Sequence, residues 1–80
     1  MSIETEQNLY KTTDLYLSAY LLVKGHKFAF EKNGKKIIFQ FPQSQNLDVN
    51  VNEYLMGKGT CEALSYANAI KNLKNLLFNR

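Results

Sequence analysis

Hydrophobic and polar positions alternate along this chain with two different periods, and each change of period marks an element. Residues 25–41, Gly-His-Lys-Phe-Ala-Phe-Glu-Lys-Asn-Gly-Lys-Lys-Ile-Ile-Phe-Gln-Phe, repeat every second position on both sides of Asn33-Gly34. An Asn-Gly pair between two alternating runs predicts a β-hairpin, because a type I′ turn needs positive φ at both central residues. With Asn33 and Gly34 at the tip, Lys32 faces Lys35, Glu31 faces Lys36, Phe30 faces Ile37 and Phe28 faces Phe39. Phe28, Phe30, Ile37, Phe39 and Phe41 then share one face, while Lys27, Ala29, Glu31, Lys36, Ile38 and Gln40 share the other. Such a sheet is covered on one side only.

The remaining pattern is helical. Residues 14–24 are apolar almost all round, with Thr12 or Thr13 as the cap, Asp14 in the first turn and Gly25 as the stop. A helix of this kind must be covered on more than one side. Pro42 ends the second hairpin strand, and a polar loop over 43–46 leads to a second helix over 47–56, stopped by Gly57. Ser65 is placed to cap a closing helix over 66–78, whose inner stripe is Tyr66, Ala69, Ile70, Leu73, Leu76 and Leu77. Its outer stripe holds Asn68, Lys71, Asn72, Lys74, Asn75 and Asn79. Residues 9–11 and 60–64 each suit a short strand, the latter beside the hairpin. The expected fold is therefore α+β, an antiparallel hairpin or three-stranded sheet on three helices, in the order (β)-α-β-β-α-(β)-α. Residues 1–8 read as a tail and residues 9–80 as one domain.

Eighty residues bury a modest core, for which net stability of roughly 3–5 kcal/mol is typical. The single cysteine, Cys61, has no internal partner for a disulfide. No apolar run approaches the ~18 residues of a membrane span, so a cytoplasmic protein without membrane contact is expected. Charge changes the picture more. Residues 24–36 hold Lys24, Lys27, Lys32, Lys35 and Lys36 against Glu31, in a chain of net charge +3. The last fifteen residues hold Lys71, Lys74 and Arg80 with no acid. Two basic concentrations are a footprint for phosphate.

Catalytic patterns are not found. One cysteine and one histidine make no metal cluster, and Gly57-Lys58-Gly59 lacks the spacing of a phosphate loop. A Cys61–His26 nucleophile pair requires the strand over 60–64 to lie beside the first hairpin strand; cysteine is more often a small buried apolar residue. The chain is expected to be no enzyme and to carry no cofactor.

Residues 11–22 (Lys-Thr-Thr-Asp-Leu-Tyr-Leu-Ser-Ala-Tyr-Leu-Leu), Gly25-His26, the hairpin ending Phe39-Gln40-Phe41, and Leu73-Lys74 carry a resemblance. Over about residues 10–78 the chain resembles a small family of uncharacterised domains from phages and mobile elements of Gram-positive bacteria. The resemblance implies an accessory protein of such an element inside its bacterial host, in the company of replication proteins, and supplies no catalytic residues.

Two functions follow as expectations. In the first, the domain binds nucleic acid, DNA in particular, through Lys27, Lys32, Lys35 and Lys36 of the hairpin and Lys71, Lys74 and Asn75 of the last helix. It would then assist DNA replication or its regulation. Lysines supply salt-dependent phosphate contacts, and the hairpin aromatics turn inward, away from bases. In the alternative, the first helix offers its apolar surplus to a partner enzyme such as a polymerase, or to a second copy of the chain. Leu17, Tyr20, Leu21, Tyr54 and Phe78 are the interface residues of that reading.

Overall fold

A computed structural model of the chain describes residues 8–78. In chain order these form β1 (Leu9–Thr12), α1 (Leu15–Val23), β2 (Ala29–Asn33), β3 (Lys36–Pro42), α2 (Gln45–Leu55) and α3 (Ala63–Phe78). The α+β class stands as expected. β3 is the middle strand of an antiparallel sheet ordered β1-β3-β2. The third strand is thus the one at 9–12, and residues 60–62 form no strand among the described residues. The tail expected over 1–8 falls outside them except for Asn8, whose carbonyl accepts from Gln43 N–H at 3.0 Å.

The hairpin forms, but its register differs by two residues from the expected one. Asn33 pairs with Lys36, Lys32 with Ile37, Glu31 with Ile38 and Phe30 with Phe39. Gly34 and Lys35 make the turn. Gly34 has φ +68°, and no residue other than glycine has positive φ among the described residues. Positive φ at the first central position alone is the requirement of a type II′ turn, which keeps Asn33 out of the left-handed region. A shift of two leaves every side chain on its face, whereas a shift of one would exchange the faces. The expected Glu31–Lys36 pairing across the strands is lost. Glu31 instead accepts a hydrogen bond from Gln40 Nε2 at 3.0 Å.

Phe39 and Phe41 are buried under α1, with Leu17, Ala19, Tyr20, Leu21, Leu47, Val51 and Leu73. Five consecutive residues of α1, Leu17–Leu21, are buried. The sheet, α2 and α3 together take up the surface that the sequence left over, so α1 is the centre of the molecule. Ser18 lies within this core and satisfies its hydroxyl on Asp14 O at 2.9 Å.

The helix ends are closed by side chains and by backbone. Asp14 itself caps α1, accepting from Tyr16 N–H and Leu17 N–H at 3.0 and 3.1 Å, while Thr12 Oγ1 accepts from Asp14 N–H at 3.0 Å. Ser44 caps α2 through Leu47 N–H at 3.0 Å, which starts that helix two residues earlier than its apolar period does. α3 begins at Ala63, ahead of Ser65, whose hydroxyl turns back to Glu62. α1 and α2 end alike: His26 N–H donates to Leu21 O and Gly25 N–H to Leu22 O, as Lys58 N–H does to Glu53 O and Gly57 N–H to Tyr54 O. These are Schellman motifs, which satisfy the last carbonyls.

Candidate nucleic-acid interface

Positive charge gathers at the turn between β2 and β3. Lys32 ends the apolar face of β2, Lys35 sits in the turn, Lys36 opens β3, and all three are exposed. With Gly34 they border a cleft of ≈ 500 Å³ whose other walls are Thr13, Leu15, Ile37, Phe39 and Leu77, although strand alternation turns the Lys36 side chain to the face opposite that of Lys32. The turn therefore leans over the place where α1 begins and α3 ends. One helical turn before Leu77, Lys74 holds its Nζ 5.9 Å from the centre of the Tyr16 ring, within cation–π reach. Tyr16 follows Leu15 of the cleft wall in sequence, which brings α3 charge to the same end of the molecule.

The expected site residues divide accordingly. Lys32, Lys35 and Lys36 share the cleft, and Lys74 stands beside it. Lys71 and Asn75 are exposed on α3 and extend the polar face along that helix. Lys27 is exposed too, but it precedes β2 at the end opposite the turn and is not brought into the cluster.

The residues expected at a protein contact fare differently. Leu17, Tyr20 and Leu21 are buried within the chain. This corrects the expectation of an apolar surplus on α1, because α2 and α3 cover the sides that the sheet does not. Tyr54 is half-buried, its ring centre 5.6 Å from that of Tyr20. The side chain of Phe78 lies outside what is described.

Two exposed aromatics escaped the reading of the sequence. Tyr16 is 47% exposed and Phe30 42%. Phe30 shares the apolar face with Phe28 and Phe39, yet β2 is an edge strand, and at an edge the covering layer runs out. Phe30 is also the neighbour of Lys32 along that face, two positions away in a strand. Tyr16 is exposed although its neighbours Leu15 and Leu17 both pack on the core, so it lies on the outer side of the first turn of α1.

Two effects favour lysine at this end without any partner. The carbonyl end of a helix attracts cations, and lysine on an edge strand discourages pairing with other chains. Neither effect requires three lysines about one turn at the mouth of a cleft with an apolar floor, nor two uncovered aromatic rings near them.

A second concavity of ≈ 520 Å³ is lined by Tyr20, Tyr54, Tyr66 and Cys61 beneath the α2–α3 connection. That connection presses so closely that a Cβ on Gly59 would stand 2.7 Å from the Tyr20 ring. Tyr20 donates to Glu53 Oε1 at 3.2 Å, Asn50 Nδ2 donates to the same oxygen at 3.1 Å, and Asn50 Oδ1 meets His26 Nε2 at 2.7 Å. His26 is thereby tied into a polar chain joining α1 to α2, while Cys61 lies in the tyrosine cleft. The strand geometry on which a Cys61–His26 pair depended does not form. Among the described residues no group of three or more His, Cys, Asp or Glu is placed to hold a metal ion. Nor is any described helix long and apolar enough to cross a membrane.

A family model for a domain of unknown function, DUF5659, matches residues 7–79. The chain belongs to this family. The match spans nearly the whole chain and agrees with the sequence resemblance to an uncharacterised domain. No curated protein and no solved structure matches it.

Proposed function

We propose that this DUF5659 domain is a non-catalytic nucleic-acid-binding accessory, contacting phosphates through Lys32, Lys35 and Lys36 and extending the contact along α3 through Lys74, Lys71 and Asn75. The observation that carries the reading is the gathering of Lys32, Lys35 and Lys36 about one turn, with Lys32 and Lys35 at the rim of a cleft and Lys74 of α3 near it. Lysine acts on phosphate as a point charge and reads no bases by itself, so binding of this kind is directed to the backbone. The resemblance noted in the sequence adds a setting: a phage or mobile element, where such a protein would assist DNA replication or its regulation in the host cytoplasm.

The test is titration of a labelled oligonucleotide at several salt concentrations. The affinity should fall with a log–log slope of about −0.7 to −0.9 per phosphate neutralised. Changing Lys32, Lys35 and Lys36 together to Glu should abolish binding with the circular dichroism spectrum unchanged. Binding indifferent to those changes would discard the cleft as the contact.

A protein partner is the second reading, on a different surface from the one expected. Leu55, Met56 and Leu64, each about two-thirds exposed, flank the connection over the tyrosine cleft. A partner held there would stay bound when the three lysines are reversed.

A further inference from the structure

The same cleft carries a statement about the kind of strand it takes, and that statement rests on the nucleic-acid reading above. We infer that this end of the domain binds single-stranded DNA in preference to duplex. Phosphates would lie on Lys32, Lys35 and Lys74, and unpaired bases on the rings of Tyr16 and Phe30.

Three observations lead here. Tyr16 and Phe30 are the aromatic rings left most open to solvent among the described residues, and each lies beside a lysine of the cluster. The cleft itself, lined by their neighbours Leu15 and Phe39, has an apolar floor including Ile37 and Leu77. Cationic rims with aromatic platforms are how a single strand is held, since every base has a π-face and stacking tolerates any sequence. In a duplex those faces are already stacked and the bases paired, so Tyr16, Phe30 and the cleft floor would have nothing to receive. Only the lysines would engage, and the duplex would bind as any polyanion does.

The chemistry also favours deoxyribose. Of the uncharged side chains around the cleft only Thr13 offers a hydrogen bond to a 2′-hydroxyl. A ribose strand would bring its other hydroxyls against Leu15, Ile37 or Leu77, which offer them no hydrogen bond.

The experiment measures fluorescence anisotropy of the intact chain with a labelled single-stranded DNA of mixed sequence, its blunt duplex, and RNA of the same sequence. The single-stranded DNA should bind at least about tenfold tighter than the duplex, the effect of one base placed on an aromatic ring. Tyr16→Ala with Phe30→Ala should remove that preference and leave a weaker, salt-dependent affinity common to all strands. Tyr16→Phe and Phe30→Tyr keep the rings and should keep the preference, which separates loss of stacking from loss of fold. Equal affinity for duplex and single strand, or RNA bound as tightly as DNA, would overturn the inference while the phosphate reading stands. No binding to any strand would overturn both.

Discussion

The tyrosines show most clearly how neighbours change a single residue. Tyr66 donates its hydroxyl to the carbonyl of Tyr16 at 3.3 Å. Burial, followed by the nearby Tyr54, pushes its ionisation from the ordinary 10.0 up to about 12. Tyr20 is raised as well, by burial first and then by its hydrogen bond and charge contact with Glu53. For Tyr66 the unfolded chain loses its proton near pH 10 while the folded chain keeps it to about pH 12. Folding therefore holds a proton that unfolding releases, and the contribution, complete below the lower value, declines as pH climbs through the upper one. Urea midpoints measured from pH 9 upward should fall over that window, and Tyr66→Phe should flatten part of the fall. An identical decline in Tyr66→Phe would mean that the Tyr66 hydroxyl is not its source.

Elements in this domain are set more by their ends than by their length. α1 has nine residues, too few to be stable as an isolated helix, and it exists because its ends are satisfied and its sides are packed. Asp14 supplies the first condition with two accepted N–H bonds. Asp14→Ala should lower unfolding free energy by about 0.5–2 kcal/mol in urea titrations, and Asp14→Asn, another good cap, by clearly less. Equal losses in the two variants would show that the carboxylate charge at the helix N-terminus matters more than the cap bond. The hairpin follows the same logic. Its turn is decided by the one residue that adopts positive φ at no steric cost, Gly34, and this moves Lys35 into the tip.

At the scale of the whole molecule, α1 is shared by the layers around it, and Leu21 lies at its centre with no exposed surface. Leu21→Lys would place an ammonium there without a partner. The cost, several kcal/mol, exceeds the roughly 3–5 kcal/mol available to a domain of this size. The variant should lack cooperative unfolding and give collapsed amide dispersion by NMR. A folded and more soluble Leu21→Lys would return α1 to the surface and revive it as a partner contact.

Most of the elements could be read from local pattern because their causes are local. Alternation around Asn33-Gly34, three apolar periods of helical spacing, Gly25, Gly57 and Pro42 are statements about neighbouring residues, and they placed the hairpin and all three helices. The face of each hairpin residue was also legible, since a two-residue slip preserves parity. What needed the tertiary structure was every question of what lies on the far side. Sheet order made β2 an edge and uncovered Phe30; the packing of α2 and α3 on α1 buried Leu17, Tyr20 and Leu21; the meeting of the turn with the ends of α1 and α3 set Lys32 and Lys35 at the rim of a cleft. A chain encodes its own periodicity over a few residues, but exposure and the convergence of charge depend on segments distant in sequence, and only folding brings those together.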